Sequence, residues 1–120
     1  MRISCVNIVQ NGDKVLALKV KGKLELPGGK WEESDSGYPE TAKRELKEET
    51  NLDAVKTTLF WHAPSDTAGY YVYLFLTEVK NFDAKDMGEG KPVWVYWHQL
   101  QAKARHHLFY SVCPCPTKSC

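Results

Sequence analysis

PGGKWEESDSGYPETAKRELKEETNL, residues 27–52, places a glycine turn ahead of a polar loop and a short acidic helix. Residues three and four apart share a helix face, so Glu45, Glu48 and Glu49 gather three carboxylates on one stripe. Like charges at this spacing destabilise an isolated helix by a few tenths of a kcal/mol per pair. The stripe therefore calls for a cation. A hard divalent ion that takes oxygen ligands, Mg²⁺ above all, suits it. The competing reading of such a charge run is a solvated helix face, and the glycine turn just upstream favours the ion.

Working outward, the helix is expected from Pro39 to Thr50, since proline costs nothing in a first turn. Ala42, Leu46 and Tyr38 face inward at helical spacing. Asn51 tolerates the left-handed conformation that ends a helix, and Leu52 supplies the apolar contact beside it. Upstream, Ile3–Val9 reads as a strand, Asn11-Gly12 as a hairpin turn and Val15–Val20 as the partner strand. Leu24-Glu25-Leu26 is a short strand leading into Pro27. Downstream, Val55–His62, Tyr70–Val79 and Val93–Trp97 read as strands, the second being aromatic and β-branched throughout. Residues 63–69 and 81–91 are loops, and His98–Tyr110 is expected as one closing helix. This order predicts an α/β (α+β) domain with a mixed β-sheet between helices.

The chain has 120 residues, 42% of them hydrophobic and 26% charged, with net charge +1. That is one domain's worth, able to bury about two-thirds of its unfolded surface. Near-neutral charge argues against non-specific nucleic-acid binding, which needs a basic excess. No apolar run reaches about 18 residues, so no membrane-spanning helix is expected. The N-terminus alternates like a strand and lacks a signal-peptide layout. The expectation is a soluble, cytoplasmic protein. Residues 1–112 are read as a single domain and 113–120 as a Cys-rich C-terminal tail. Cys5 suits a buried strand position. The spacing of Cys113, Cys115 and Cys120 does not match paired C-x-x-C zinc ligation. Surplus thiols on a loose tail are favoured over a soft metal site with His106 or His107, or a disulfide.

The segment Gly29–Leu52 resembles the Nudix box of the MutT/Nudix hydrolases, G-x5-E-x7-R-E-U-x-E-E-x-G-U with U bulky and aliphatic. Gly29 matches the opening glycine, and Arg44, Glu45, Leu46, Glu48, Glu49 and Leu52 match the second half without gaps. Leu26-Pro27-Gly28 is similar to the family's run into the box. Pro92-Val93-Trp94-Val95 with His98-Gln99-Leu100 is similar to its last strand and closing helix. There are departures. The loop is one residue longer, so counting back from Arg44 the first glutamate falls on Ser36; Asp35, Glu32 and Glu33 are the candidate substitutes. Asn51 stands for the second glycine, and Tyr38-Pro39 opens the helix without a Ser/Thr cap.

The resemblance implies a Nudix fold and hydrolysis of a nucleoside diphosphate linked to some moiety X, with Mg²⁺ or Mn²⁺ as cofactor. A small nucleotide such as a nucleoside triphosphate is the expected partner. By motif position, Glu45 and Glu49 with the Gly29 carbonyl would hold the ion. Glu48 would bind a second ion or orient water, and one of these glutamates would serve as general base. Arg44 would fix the glutamate rotamers through its planar fork. A further acid from outside the box is sought among Asp66, Asp83, Asp86 and Glu89, with Glu89 preferred. Lys30 is a candidate phosphate contact. Trp31, Trp61, Tyr71, Tyr73, Trp94 and Trp97 offer stacking surface, although most should fill the core and one or two should line the pocket. The alternative function is a Nudix-fold sensor that binds a nucleotide without cleaving it. The intact carboxylate set argues against that.

Overall fold

The computed structural model describes residues 1–117. In chain order, β1 is Arg2–Ile8, β2 Gln10–Asn11, β3 Lys14–Val20, β4 Lys23–Glu25 and β5 Gly28–Lys30. Helix α1 (Tyr38–Thr50) follows, then β6 (Ala54–Pro64), β7 (Tyr70–Val79) and β8 (Lys91–Val95), and finally α2 (Trp97–Lys103) and α3 (His107–Val112). The class is α+β with a mixed sheet. The strands divide into two hydrogen-bonded sheets, one ordered β5-β1-β7-β6, the other built on β3 with β2, β4 and β8 as its partners. Strands β1 and β7 are parallel, in register from Arg2↔Tyr70 to Ile8↔Leu76, and their other pairings are antiparallel.

Local chemistry explains the turns. Lys21 and Gly22 both have positive φ, 51° and 78°. They are the two central residues between the paired Val20 and Lys23, which is the turn whose twist matches a hairpin. Helix α1 ends as expected: Asn51 is left-handed at φ 63° and its N–H reaches the Lys47 carbonyl. Leu52 is buried beside it.

Alternation along the strands decides what each face covers. Cys5 and Phe75 pack with Ala42 of α1, while Leu16 and Val9 meet Leu46 and Leu52. On the opposite faces, Ile8, Val72, Leu74, Val15, Ala17 and Leu24 form the main core with Trp97, Leu100, Phe109 and Tyr110 of the closing helices.

Three expectations change. Gly28 and Gly29 form a strand, not a turn: they pair with Val6 and Cys5 of β1. The single closing helix is broken in two. Ala104 is extended, with φ −75° and ψ 149°, and bridges Leu24. Arg105 then pairs with Glu25 at 3.0 Å, so tertiary pairing with β4 outweighs a helical pattern that lacks any internal breaker. Lastly, Cys113 is not on a loose tail; it is 5% exposed and packs in the main core. Cys115 is disulfide-bonded, where the sequence favours thiols. Cys120 lies outside the described residues.

Candidate active site

Helix α1 and strand β5 meet so closely that side chains are excluded between them. A Cβ on Gly29 would collide with the Glu45 carboxyl group, and one on Gly28 with the Cys5 carbonyl oxygen. Neither is needed for an unusual φ: Gly28 is needed for the pairing with β1, and Gly29 for the approach of α1. That approach brings the Gly28 N–H to Glu49, whose Oε1 accepts from it at 2.8 Å. The buried Asn7 fixes the same stretch from behind. Its Nδ2 donates to the carbonyls of Pro27 (3.1 Å) and Ala42 (2.9 Å), and its Oδ1 accepts from Thr77 Oγ1 at 2.8 Å. A fully satisfied buried amide of this kind ties three elements to one geometry.

Asp35 takes the place left by the glutamate that the longer loop displaces. Arg44 donates to it twice, Nε to Oδ1 at 2.9 Å and Nη2 to Oδ2 at 3.0 Å. Thr41 Oγ1 and the Glu32 N–H also donate to Oδ2. These donors, Arg44 foremost, hold the Asp35 carboxyl far below the usual carboxylate range. Glu32 and Glu33 do not fill the role. The remaining Arg44 nitrogen, Nη1, reaches Glu45 at 2.8 Å and Glu48 at 3.4 Å. Arg44 thus spans Asp35, Glu45 and Glu48.

Glu49 is in the opposite condition. Burial, then the charges of Glu45, Glu89 and Glu25, push it up to about 8 against the single lowering effect of the Gly28 N–H. Glu45 is also raised, by burial first and by Glu48 and Glu32 among its neighbours. Glu48 is more exposed than Glu45, at 57% against 17% for the side chains. The structure therefore brings Glu45, Glu48, Glu49 and Gly29 together on one side of α1, with the charge of Glu89 acting on Glu49. Glu25 belongs to this group and was missed. The signal was its polar side chain between Leu24 and Leu26, immediately before Pro27. Asp86 instead accepts from the Gly88 N–H, and Asp83 is exposed. The Lys30 side chain is exposed, and its carbonyl accepts from Arg44 Nη2 at 3.3 Å.

Among the described residues, no three His, Cys, Asp or Glu side chains are gathered tightly enough to hold a metal ion as placed. The donor set nevertheless fits a hard cation. It consists of carboxylate and carbonyl oxygens, and two of the carboxylates are raised, by burial first and by neighbouring acids after it. Arg44 does not take that cation's place, because two of its three nitrogens are committed to Asp35.

A cavity of about 550 Å³ adjoins the diglycine, with Gly28 and Gly29 in its wall along with Glu25, Asp66, Arg105 and Tyr110. Its aromatic lining is Tyr70, Phe109 and Tyr110, and none of the six aromatic residues proposed from sequence lines it. Strand parity explains the difference: Tyr70 and Val72 face the cavity, whereas Tyr73 packs toward α1 against Tyr38, with ring centroids 4.7 Å apart. Trp97 is 1% exposed in the core.

The arrangement, a bare strand pressed against an acidic helix beside a cavity, is the setting in which the comparisons with known proteins place the chain. The chain belongs to the NUDIX domain family, which it matches over residues 1–112, and it is a hydrolase acting on pyrophosphate bonds. It is similar in fold to the NUDIX hydrolase from Nitrosomonas europaea, at 19% identity and TM-score 0.78 over 92% of this chain and 66% of that one. The MutT NUDIX hydrolase from Burkholderia pseudomallei is 19% identical with TM-score 0.75, covering 88% and 90%. The mutator MutT protein from Bacillus halodurans is 24% identical with TM-score 0.73, covering 93% and 79%. No curated protein matches the chain. No helix among the described residues is long and apolar enough to cross a membrane.

Proposed function

We propose that the protein hydrolyses a nucleoside diphosphate linked to X, most simply a nucleoside triphosphate, in an Mg²⁺-dependent reaction. The observation that carries this is the state of Glu49. Its carboxyl group is hydrogen-bonded to the Gly28 N–H and driven up to about 8 by burial and by acids around it. Such a group is costly to keep ionised unless a cation joins it.

Glu45 and Glu49, with the Gly29 carbonyl, would hold the ion, and Glu48 and Glu89 would complete the acidic rim. A bound divalent ion neutralises pyrophosphate charge and makes a coordinated water more acidic. Arg44 keeps Glu45 and Glu48 oriented through Nη1, while Asp35 fixes the guanidinium plane. A glutamate of this group, with Glu48 the most accessible, would take the proton from the attacking water. Lys30, exposed beside Gly29, would contact phosphate. The cavity wall beyond Gly28 would receive the nucleoside.

The test is a nucleotide panel assayed with Mg²⁺, with Mn²⁺ and with chelator, separating phosphate, pyrophosphate and nucleoside monophosphate. Metal-dependent release of monophosphate is expected. Nucleotide binding without any phosphate product would assign the protein to the sensor class instead.

A further inference from the structure

Two carboxylates line the cavity beside the diglycine, and their conditions differ. Glu25 is paired with Arg105 at 3.0 Å. Among the described residues Asp66 has no cation; its Oδ2 accepts from the Leu108 N–H at 3.1 Å, and none of them donates to Oδ1. That bond ties the β6–β7 loop to α3 and so fixes how the carboxylate is presented. The loop is also tied to the sheet, because Tyr70 is paired with Arg2 at the start of β1. Gly28 is paired with Val6, four residues along the same strand. The cavity therefore runs about 13 Å along β1 from the catalytic diglycine to the Asp66 loop, enough for a nucleoside to lie between them.

A carboxylate only accepts hydrogen bonds. Placed in a substrate cavity, it repels phosphate and attracts N–H edges. We propose that Asp66 is a specificity-determining residue that reads the nucleobase through its N–H donors and favours guanine. Guanine presents a ring N–H next to an exocyclic amino group, so two adjacent donors meet one carboxylate. Adenine and cytosine offer an amino group flanked by a ring acceptor, which is a poorer match. In uracil and thymine the ring N–H lies between two carbonyl oxygens that the carboxylate repels. A site built around a hydrogen-bonding edge discriminates by leaving its polar group unpaired with the wrong partner. This inference rests on the reading that the cavity holds a nucleotide.

The experiment measures kcat/KM for GTP, ATP, CTP and UTP with Mg²⁺, in the wild type and in Asp66→Asn. For the wild type, GTP is expected to exceed UTP by about tenfold or more, the difference lying mainly in KM. Asn keeps an oxygen for the Leu108 N–H and turns a donor toward the cavity, so the variant should raise UTP and lower GTP. A residue that merely anchors α3 would lower all four together, and that result would overturn the proposal. Equal wild-type rates on the four nucleotides would overturn it while leaving the hydrolase reading intact. Absence of hydrolysis of all four would overturn both.

Discussion

Asp35 and Glu49 are carboxylates held against the same helix under opposite conditions. Asp35 meets α1 through both prongs of Arg44 and two further donors, and its pKa lies far below the usual range. Glu49 projects from the last turn with one N–H donor and acids for neighbours, and lies at about 8. The difference shows how this helix divides its labour. Its arginine is shared between the loop and Glu45, so Asp35 is fully satisfied, whereas Glu49 is left with one N–H donor among acids. A fold optimised only for stability would not leave Glu45 and Glu49 in that state.

The sharpest way to break the comparison is Glu49→Gln. Gln keeps an acceptor for the Gly28 N–H but removes the charge, so the hydrolysis rate should fall by at least about a hundredfold. The melting temperature without metal at pH 8 should hold or rise, since a raised carboxyl group is no longer forced to ionise. Full activity in this variant would remove the catalytic assignment. Arg44→Met tests the other end. It leaves Asp35 without its principal partner, and should lower the midpoint of chemical denaturation. If stability is unchanged, the clamp is not what holds the loop.

The two carboxylates also predict opposite pH responses in metal-free protein. Asp35 is depressed, so its contribution is present above about pH 4 and is lost as pH falls below that. Glu49 is raised, so its contribution is complete below pH 4.5 and is lost as pH rises toward 8. Metal-free stability should therefore peak near pH 4–5 and decline by about 2 kcal/mol toward pH 8, a figure discounted for partial exposure. Mg²⁺ should reverse the decline, because it binds the ionised form. A flat profile with chelator would show that Glu49 is solvated.

Much of this site was legible because motif and helix period report the same residues. Arg44, Glu45, Glu48 and Glu49 lie within two turns of one helix, where spacing fixes their common face. Asn51 was legible for a similar reason, since one residue's backbone preference decides that cap. What sequence could not supply came from distant partners. Gly28 and Gly29 look like a turn until β1 is seen to pair with them, and the requirement is then for missing Cβ atoms. Asn7 reads as one more strand residue, because its three hydrogen-bond partners come from a loop, a helix and another strand. Which aromatics line the cavity was not legible, because choosing Tyr70 over Tyr71 depends on which sheet face α1 covers. The break at Ala104 has no local signal at all.

The smallest predicted effect concerns Glu89 and Glu25, the two acids that reach Glu49 from outside the motif. Both raise it, Glu89 ahead of Glu25, but among the described residues only Glu25 has a cation of its own, Arg105. Neutralising Glu89 should therefore weaken apparent Mg²⁺ affinity by severalfold and move the Glu49 titration downward. Neutralising Glu25 should do less at the metal, because it also releases Arg105, whose charge then partly replaces what was removed. Adding Arg105→Met to Glu25→Gln withdraws that compensation and separates the two contributions as a double-mutant cycle. Metal titrations of the four variants would decide it. Equal effects from Glu89→Gln and Glu25→Gln would mean that the acidic rim acts as a diffuse field, not as an array in which each acid's worth depends on its own partner.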